Sequence, residues 1–175
     1  MSLKKNYFFV LIFLCYSSTS KAQESSIFDI ARRGSLTELK LIIKSDQNII
    51  NKISKEGYSA LVLACYYRNN EIASYLIKHV KDINSKSSYG TPLMAAAIKK
   101  NSYLTKLLLE NNADPNLSDQ NNSTALHYSV IFNQEKIIEL LMKYKANPDL
   151  KDNRGNTAQD YAKIIGNSRI IQLLK

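Results

Sequence analysis

A block of seven residues returns four times along the chain at nearly constant spacing, and that recurrence limits the possible folds more than anything else in the sequence. Tyr58-Ser-Ala-Leu-Val-Leu-Ala64, Gly90-Thr-Pro-Leu-Met-Ala-Ala96, Ser123-Thr-Ala-Leu-His-Tyr-Ser129 and Asn156-Thr-Ala-Gln-Asp-Tyr-Ala162 align with Ser59, Thr91, Thr124 and Thr157 in register, at steps of 32, 33 and 33 residues. A period of this size marks a solenoid, whose units cannot bury their apolar faces alone and must stack on their neighbours. Beyond each block apolar residues recur four or five places after a first one: Ile72, Leu76 and Ile77; Leu104, Leu108 and Leu109; Ile137, Leu141 and Met142; Ile170 and Leu174. This spacing predicts an amphipathic helix with one buried face. A shorter helix precedes each, opened by the hydroxyl of Ser59, Thr91, Thr124 or Thr157, which can accept from the free N–H groups of its first turn.

Composition agrees with a helical array. A chain of 175 residues holds one domain, or two small ones. With 45% hydrophobic and 22% charged residues it has the apolar mass to fold, which excludes a wholly disordered chain. Five glycines and three prolines are few for a barrel or sandwich that turns every ten residues or so. The only cysteines, Cys15 and Cys65, exclude a disulfide framework and a Cys-rich zinc site. The two histidines, His79 and His127, stand 48 positions apart, so neither a metal nor a cofactor is expected.

The N-terminus has the pattern of a secretory signal over residues 1–22. Lys4 and Lys5 precede an apolar run of ten, Tyr7 to Tyr16, and a small polar stretch ends at Ala22. Ser20 and Ala22 supply the small residues read by the peptidase, so the mature chain is expected to start at Gln23. Ten residues fall short of the ~18 that span a bilayer, which makes a retained anchor the weaker alternative. Bulky Leu14 before Cys15 argues against a lipoprotein site. The expectation is therefore a monomer, exported to a periplasm or secreted, with a bacterial host favoured and no membrane span after cleavage. Loss of Lys4, Lys5 and Lys21 takes the net charge from +9 to +6, and 19 of the 24 cations are lysines. That excess is weak support for a nucleic-acid partner, and export weakens it further; none is expected.

The repeated blocks resemble the ankyrin repeat. Thr91-Pro-Leu-Met-Ala-Ala-Ala97 and Thr124-Ala-Leu-His127 are similar to its Thr-Pro-Leu-His-x-Ala signature, and Leu107-Leu-Leu-Glu-Asn-Asn-Ala-Asp-Pro-Asn116 to the segment that leaves its second helix. Lys81-Asp-Ile-Asn84 and Ala146-Asn-Pro-Asp149 are looser copies, and an incomplete first unit begins near Ile27. The resemblance implies an all-α solenoid of helix-turn-helix units joined by hairpin loops. The repeat domain would occupy residues 23–175, in units of approximately 25–53, 54–85, 86–118, 119–151 and 152–175. The signature histidine position holds Phe28, Val62, Met94, His127 and Asp160, so only the fourth unit can make the family's His-to-Thr hydrogen bond. Asp160 looks like a terminal variant with a wetted outer face. The turn glycine survives as Gly57 and Gly155, with Asn122 and Tyr89 standing in elsewhere and Gly90 placed to take over from Tyr89.

No catalytic residue is expected. His127 reads as a helix brace rather than a base, and His79 as a surface cap at a helix C-terminus. Cys65 aligns with Ala97 and Val130, as a buried inert thiol would. Asp119, Asp149 and Asp152 sit at hairpins as turn residues. What the resemblance implies instead is a protein-binding module with a concave face. Its residue before the signature, and those seven and eight beyond the Thr, would project there. These are Tyr58, Tyr66 and Tyr67; Gly90, Ile98 and Lys99; Ser123, Ile131 and Phe132; and, in the first unit, Arg32 and Arg33. Tyr66, Tyr67, Ile98, Ile131 and Phe132 would form an exposed apolar stripe with a basic edge, the kind of patch that marks a partner. The alternative is an exported anion-binding or catalytic protein acting on acidic surface polymers. Its lysines are dispersed, which suits a solvated face better.

Overall fold

Every predicted hydroxyl opens its helix. Ser59, Thr91, Thr124 and Thr157 each accept from the N–H three residues on, at 3.2–3.5 Å. The structure, a computed structural model, describes residues 26–88 and 90–175; the expected leader and the Tyr89 turn position lie outside the described residues. The first helices of the five units are α1 (Ile27–Arg33), α3 (Ala60–Tyr66), α5 (Pro92–Ile98), α7 (Ala125–Ile131) and α9 (Ala158–Ile165). The second helices are α2 (Leu36–Ser45), α4 (Asn70–Ile77), α6 (Ser102–Glu110), α8 (Glu135–Lys143) and α10 (Ser168–Leu173), with a 3-10 turn at Gln47–Asn51. First helices pack in one file and second helices in another, each unit on its neighbours, as a solenoid requires. Among the described residues the hairpins carry only isolated antiparallel bridges, at Ile53–Ser59, Ser87–Gly90 and Ser118–Thr124. The fold is thus the all-helical solenoid expected.

The core lies between the two files. Ala60 to Cys65 and Pro92 to Ala97 are buried throughout, because a short alanine-rich helix lets neighbouring backbones approach from both sides. From the second helices come Ile72, Leu76, Leu104, Leu108, Ile137, Leu141 and Ile170, all buried as their spacing predicts. Met142 is only half-buried, and Ile138 is buried in addition.

The first unit sits one residue later than its sequence suggests. Ser26 caps α1 by accepting from the Asp29 N–H at 3.2 Å, and the Ser26 hydroxyl donates to the Asp29 carboxylate at 2.7 Å. Asp29, not Phe28, therefore holds the signature position, and Arg33 and Gly34 match Tyr66 and Tyr67 while Arg32 matches Cys65. The turn positions follow expectation: Gly57, Asn122 and Gly155 have φ of 82°, 53° and 79°. In the third unit Gly90 takes the turn at φ 91°, and a Cβ there would stand 2.4 Å from the Met94 sulfur.

Asparagines fasten the units together. Asn69, Asn101 and Asn167 each cap a second helix through Oδ1 while Nδ2 donates to the preceding unit, to Gly34 O, Asn70 Oδ1 and Asn133 Oδ1 at 2.9, 2.6 and 2.7 Å. At the hairpins Asn51, Asn84 and Asn116 accept from the N–H of Lys81, Asp114 and Asn147 in the next unit, at 2.7–2.9 Å. The fourth unit breaks the first series. Gln134 is one methylene longer than asparagine, is 8% exposed and makes no cap bond, and neither polar atom of its side-chain amide has a partner. A missing cap costs about 1 kcal/mol, and a buried unsatisfied amide adds to that. Gln134→Asn is therefore expected to stabilise the protein by about 1–2 kcal/mol, read as a higher urea midpoint with an unchanged slope.

Candidate partner-binding face

The C-terminal ends of the first helices repeat three positions from unit to unit, which lays three rows across the stack. Seven places beyond the cap residue stand Arg33, Tyr66, Ile98, Ile131 and Ile164, the last helical residue in every unit but the fifth, whose helix runs on to Ile165; eight places beyond it stand Gly34, Tyr67, Lys99, Phe132 and Ile165. The third row holds Arg68, Lys100, Asn133 and Gly166, all with φ between 54° and 74°. Helices end here because this left-handed residue lets the following N–H turn back onto the helix: Asn69, Asn101 and Gln134 donate to Ala64, Ala96 and Ser129 carbonyls at 2.9 Å.

The expected site residues divide into an exposed and a covered set. Tyr67, Ile131 and Phe132 are exposed by 54%, 41% and 41%. Tyr66, Ile98 and Lys99 are half-buried. Tyr66 packs edge-on against Tyr67 with ring centroids 5.5 Å apart, and the Lys99 ammonium sits 3.8 Å from the Tyr66 ring centre. A cation over an aromatic face is attracted by the ring quadrupole, so this pair is held in place. The position before the signature is less available than expected: Gly90 and Ser123 are buried, and Tyr58 is half-buried with its hydroxyl accepting from Ser88 at 3.2 Å. Arg33 is exposed, whereas Arg32 is half-buried and bonded to Asp29 at 3.2 Å. Arg32, Tyr58, Val62, Leu63, Tyr66 and Tyr67 line a concavity of about 230 Å³. Sequence reasoning missed Ile164 and Ile165, exposed by 74% and 40%, although both stand at the same seven and eight places beyond Thr157.

The titratable groups elsewhere are structural. His127 is fully buried, and its Nδ1 accepts from the Thr124 N–H at 3.1 Å, which fixes the proton on Nε2, donated to the Asn156 carbonyl at 3.3 Å. The imidazole ties the fourth unit to the fifth. Asp160 does the local part of this work with oxygen: it accepts from the Thr157 N–H and hydroxyl at 3.0 and 2.7 Å, and these bonds hold its carboxyl below the usual range. Cys65 is fully buried, and desolvation pushes its thiol far up, away from the reactive thiolate. His79 stacks on Tyr75 at 4.0 Å, with Nδ1 2.7 Å from the Tyr75 carbonyl.

Asp119 and Asp152 brace hairpins as expected, each accepting from two backbone N–H groups and from a tyrosine, Tyr128 or Tyr161. Desolvation and then the Asp119 bond push Tyr128 up to about 12. Asp149 uses its backbone N–H instead, donating to Asn147. Among the described residues no helix is long and apolar enough to cross a membrane, and no group of three or more His, Cys, Asp or Glu side chains is placed to hold a metal ion.

Comparison with known proteins agrees with this architecture. A family model described as ankyrin repeats in three copies matches residues 27–119 and again 93–175. The chain is similar to an ankyrin repeat protein of Acanthamoeba polyphaga mimivirus, 31% identical over 106 residues that cover 58% of this chain and 14% of that protein. An ankyrin repeat protein of Fowlpox virus is 36% identical over 97 residues, 55% of this chain and 51% of its own. The ankyrin repeat and SAM domain-containing protein 6 of Rattus norvegicus is 29% identical over 109 residues, 61% of this chain and 12% of its own. The matched stretch thus spans about half or less of each relative.

Proposed function

The chain belongs to the ankyrin repeat family, and from that premise we propose that it is a monomeric, exported protein-binding module that grips a partner protein on the concave face built by its first helices. The observation that carries this reading is the exposure of Tyr67, Ile131, Phe132, Ile164 and Ile165 at equivalent positions of units two, four and five. Large apolar side chains kept in water at a repeated position invite cover, whereas scattered ones need no explanation. Binding without chemistry suits the buried His127 and Cys65, which are occupied with packing. Capture of acidic polymers by lysine is the less favoured alternative, because Lys52, Lys106 and Lys163 are paired with acids at separate places. Export rests on Lys4, Lys5, the apolar run and Ala22.

Two measurements test these halves separately. Protein isolated from the exported fraction of its host is expected to start at Gln23; an intact mass that still includes Met1 would refute cleavage. Hydroxyl-radical footprinting of the partner complex is expected to protect Tyr67, Phe132 and Ile165 while leaving Leu41 and Tyr103, exposed on the second-helix side, as reactive as before. Protection confined to Leu41 and Tyr103 would move the partner to the opposite side.

A further inference from the structure

The first-helix face is chemically divided along its length. Its first three units present Arg33, Arg68, Lys99 and Lys100, interleaved with Tyr66 and Tyr67. Its last two present Ile131, Phe132, Ile164 and Ile165, and the third row there is Asn133 and Gly166, without charge. Ion pairs among the described residues use Arg32, Lys52, Lys106, Lys163 and Arg169, and none of the four cations on this face. Two acids near the basic end are already engaged: Asp29 holds Arg32, and Glu56 at the hairpin tip is held by Ser54. Unpaired cations beside aromatic rings complement carboxylates, and an uncharged apolar end complements bulky apolar side chains.

Length narrows the occupant. Five first helices side by side at about 8–10 Å give a track of about 32–40 Å. An extended chain at about 3.3 Å per residue covers that in about 10–12 residues. We infer that this face holds an extended partner segment of about 10–12 residues whose acidic end lies over units one to three and whose bulky apolar end lies over units four and five. This rests on the concave-face reading above and specifies what that face recognises.

The third row supplies variants that cannot be dismissed as unfolded. Arg68 and Lys100 hold φ of 60° and 55°, where the fifth unit uses Gly166. Glycine adopts that conformation without strain, so Arg68→Gly and Lys100→Gly remove a charge while raising the melting temperature, together by about 2–4 °C. The probe is a random 12-residue peptide library displayed on phage, selected on the full chain, with the recovered peptides synthesised and titrated. The expected peptides carry Asp or Glu at one end and Leu, Ile or Phe at the other. The double glycine variant should weaken them at least tenfold at low salt and far less near 1 M, where the Debye length is about 3 Å. Phe132→Ala should weaken them equally at both salts. Peptides that respond to Tyr67→Ala and Phe132→Ala, yet carry no acidic end or ignore the glycine variant, overturn the divided face and leave the concave site standing. Peptides indifferent to every first-helix substitution overturn the concave reading itself, and recovery of none overturns a linear partner segment.

Discussion

Leu108→Ala is expected to lower the unfolding free energy by about 2–5 kcal/mol, the range for a buried leucine whose surroundings cannot close over the void. Leu108 is fully buried in α6, which lies between α4 and α8 in the second-helix file and against α5 of its own unit. Rigid neighbours on three sides resist collapse into the cavity. The position also transmits the loss, because units two and four are joined only through unit three. Ile170 is equally buried, but α10 is backed only by α8 and α9. Ile170→Ala should fray the fifth unit and leave the rest of the array cooperative, so its effect on the main urea transition is smaller. Hydrogen exchange should show the same asymmetry, with amides of α4, α6 and α8 loosened by Leu108→Ala and only those of α9 and α10 by Ile170→Ala. Equal damage from the two substitutions in urea melts would contradict nearest-neighbour coupling.

Periodicity made the array legible, since spacing placed the second helices of units two to five and the hydroxyl residues placed their first helices. The first unit was less clear for a definite reason. Ser25 and Ser26 offer the same hydroxyl in tandem, and the choice between them is made by burial of Ile27, Ile30 and Ala31 along α1, a tertiary fact. That one-residue shift moves Arg32 off the three rows of the candidate face and leaves Arg33 on them. The bracing at the signature position was underestimated too. Histidine is replaced in three units: a carboxylate at Asp29 or Asp160 reaches the cap hydroxyl of its own unit, and in unit three the Met94 sulfur lies 3.5 Å from the Thr91 nitrogen, while Val62 in unit two has no polar atom to offer.

On the candidate face, position in the helix could be counted from the sequence but exposure could not. Tyr66 and Tyr67 are adjacent and chemically identical, yet Tyr66 is partly covered because Lys99 of the next unit lies over its ring. Such cover depends on a side chain 33 residues away. Ile164 and Ile165 lie on the same two rows by their count from Thr157, in a unit whose Asp160 gives it the look of a wetted terminus.

Tyr67→Ala combined with Phe132→Ala is expected to weaken binding of the partner segment by about 2–4 kcal/mol, roughly 30- to 1,000-fold, the loss typical when central aromatic anchors are truncated. Both rings stand in water in the free protein, so the gain on cover is large and the loss to folding small. Exposed substitutions usually move stability by less than about 0.5 kcal/mol; here the edge contact between Tyr67 and Tyr66 adds a modest further cost. Helical circular dichroism should be unchanged. The two residues belong to units two and four, with all of unit three between them, so the single losses should add to the double within about 0.5 kcal/mol. Additivity is the informative part. Two anchors touching separate parts of one bound segment act independently, whereas two substitutions that merely distort the array would couple through unit three. Calorimetric titration of wild type, both singles and the double gives the four numbers required. Undiminished affinity in the double variant would place the partner instead on the hairpin tips at Lys55-Glu56, Ser87-Ser88, Gln120-Asn121 and Asn153-Arg154.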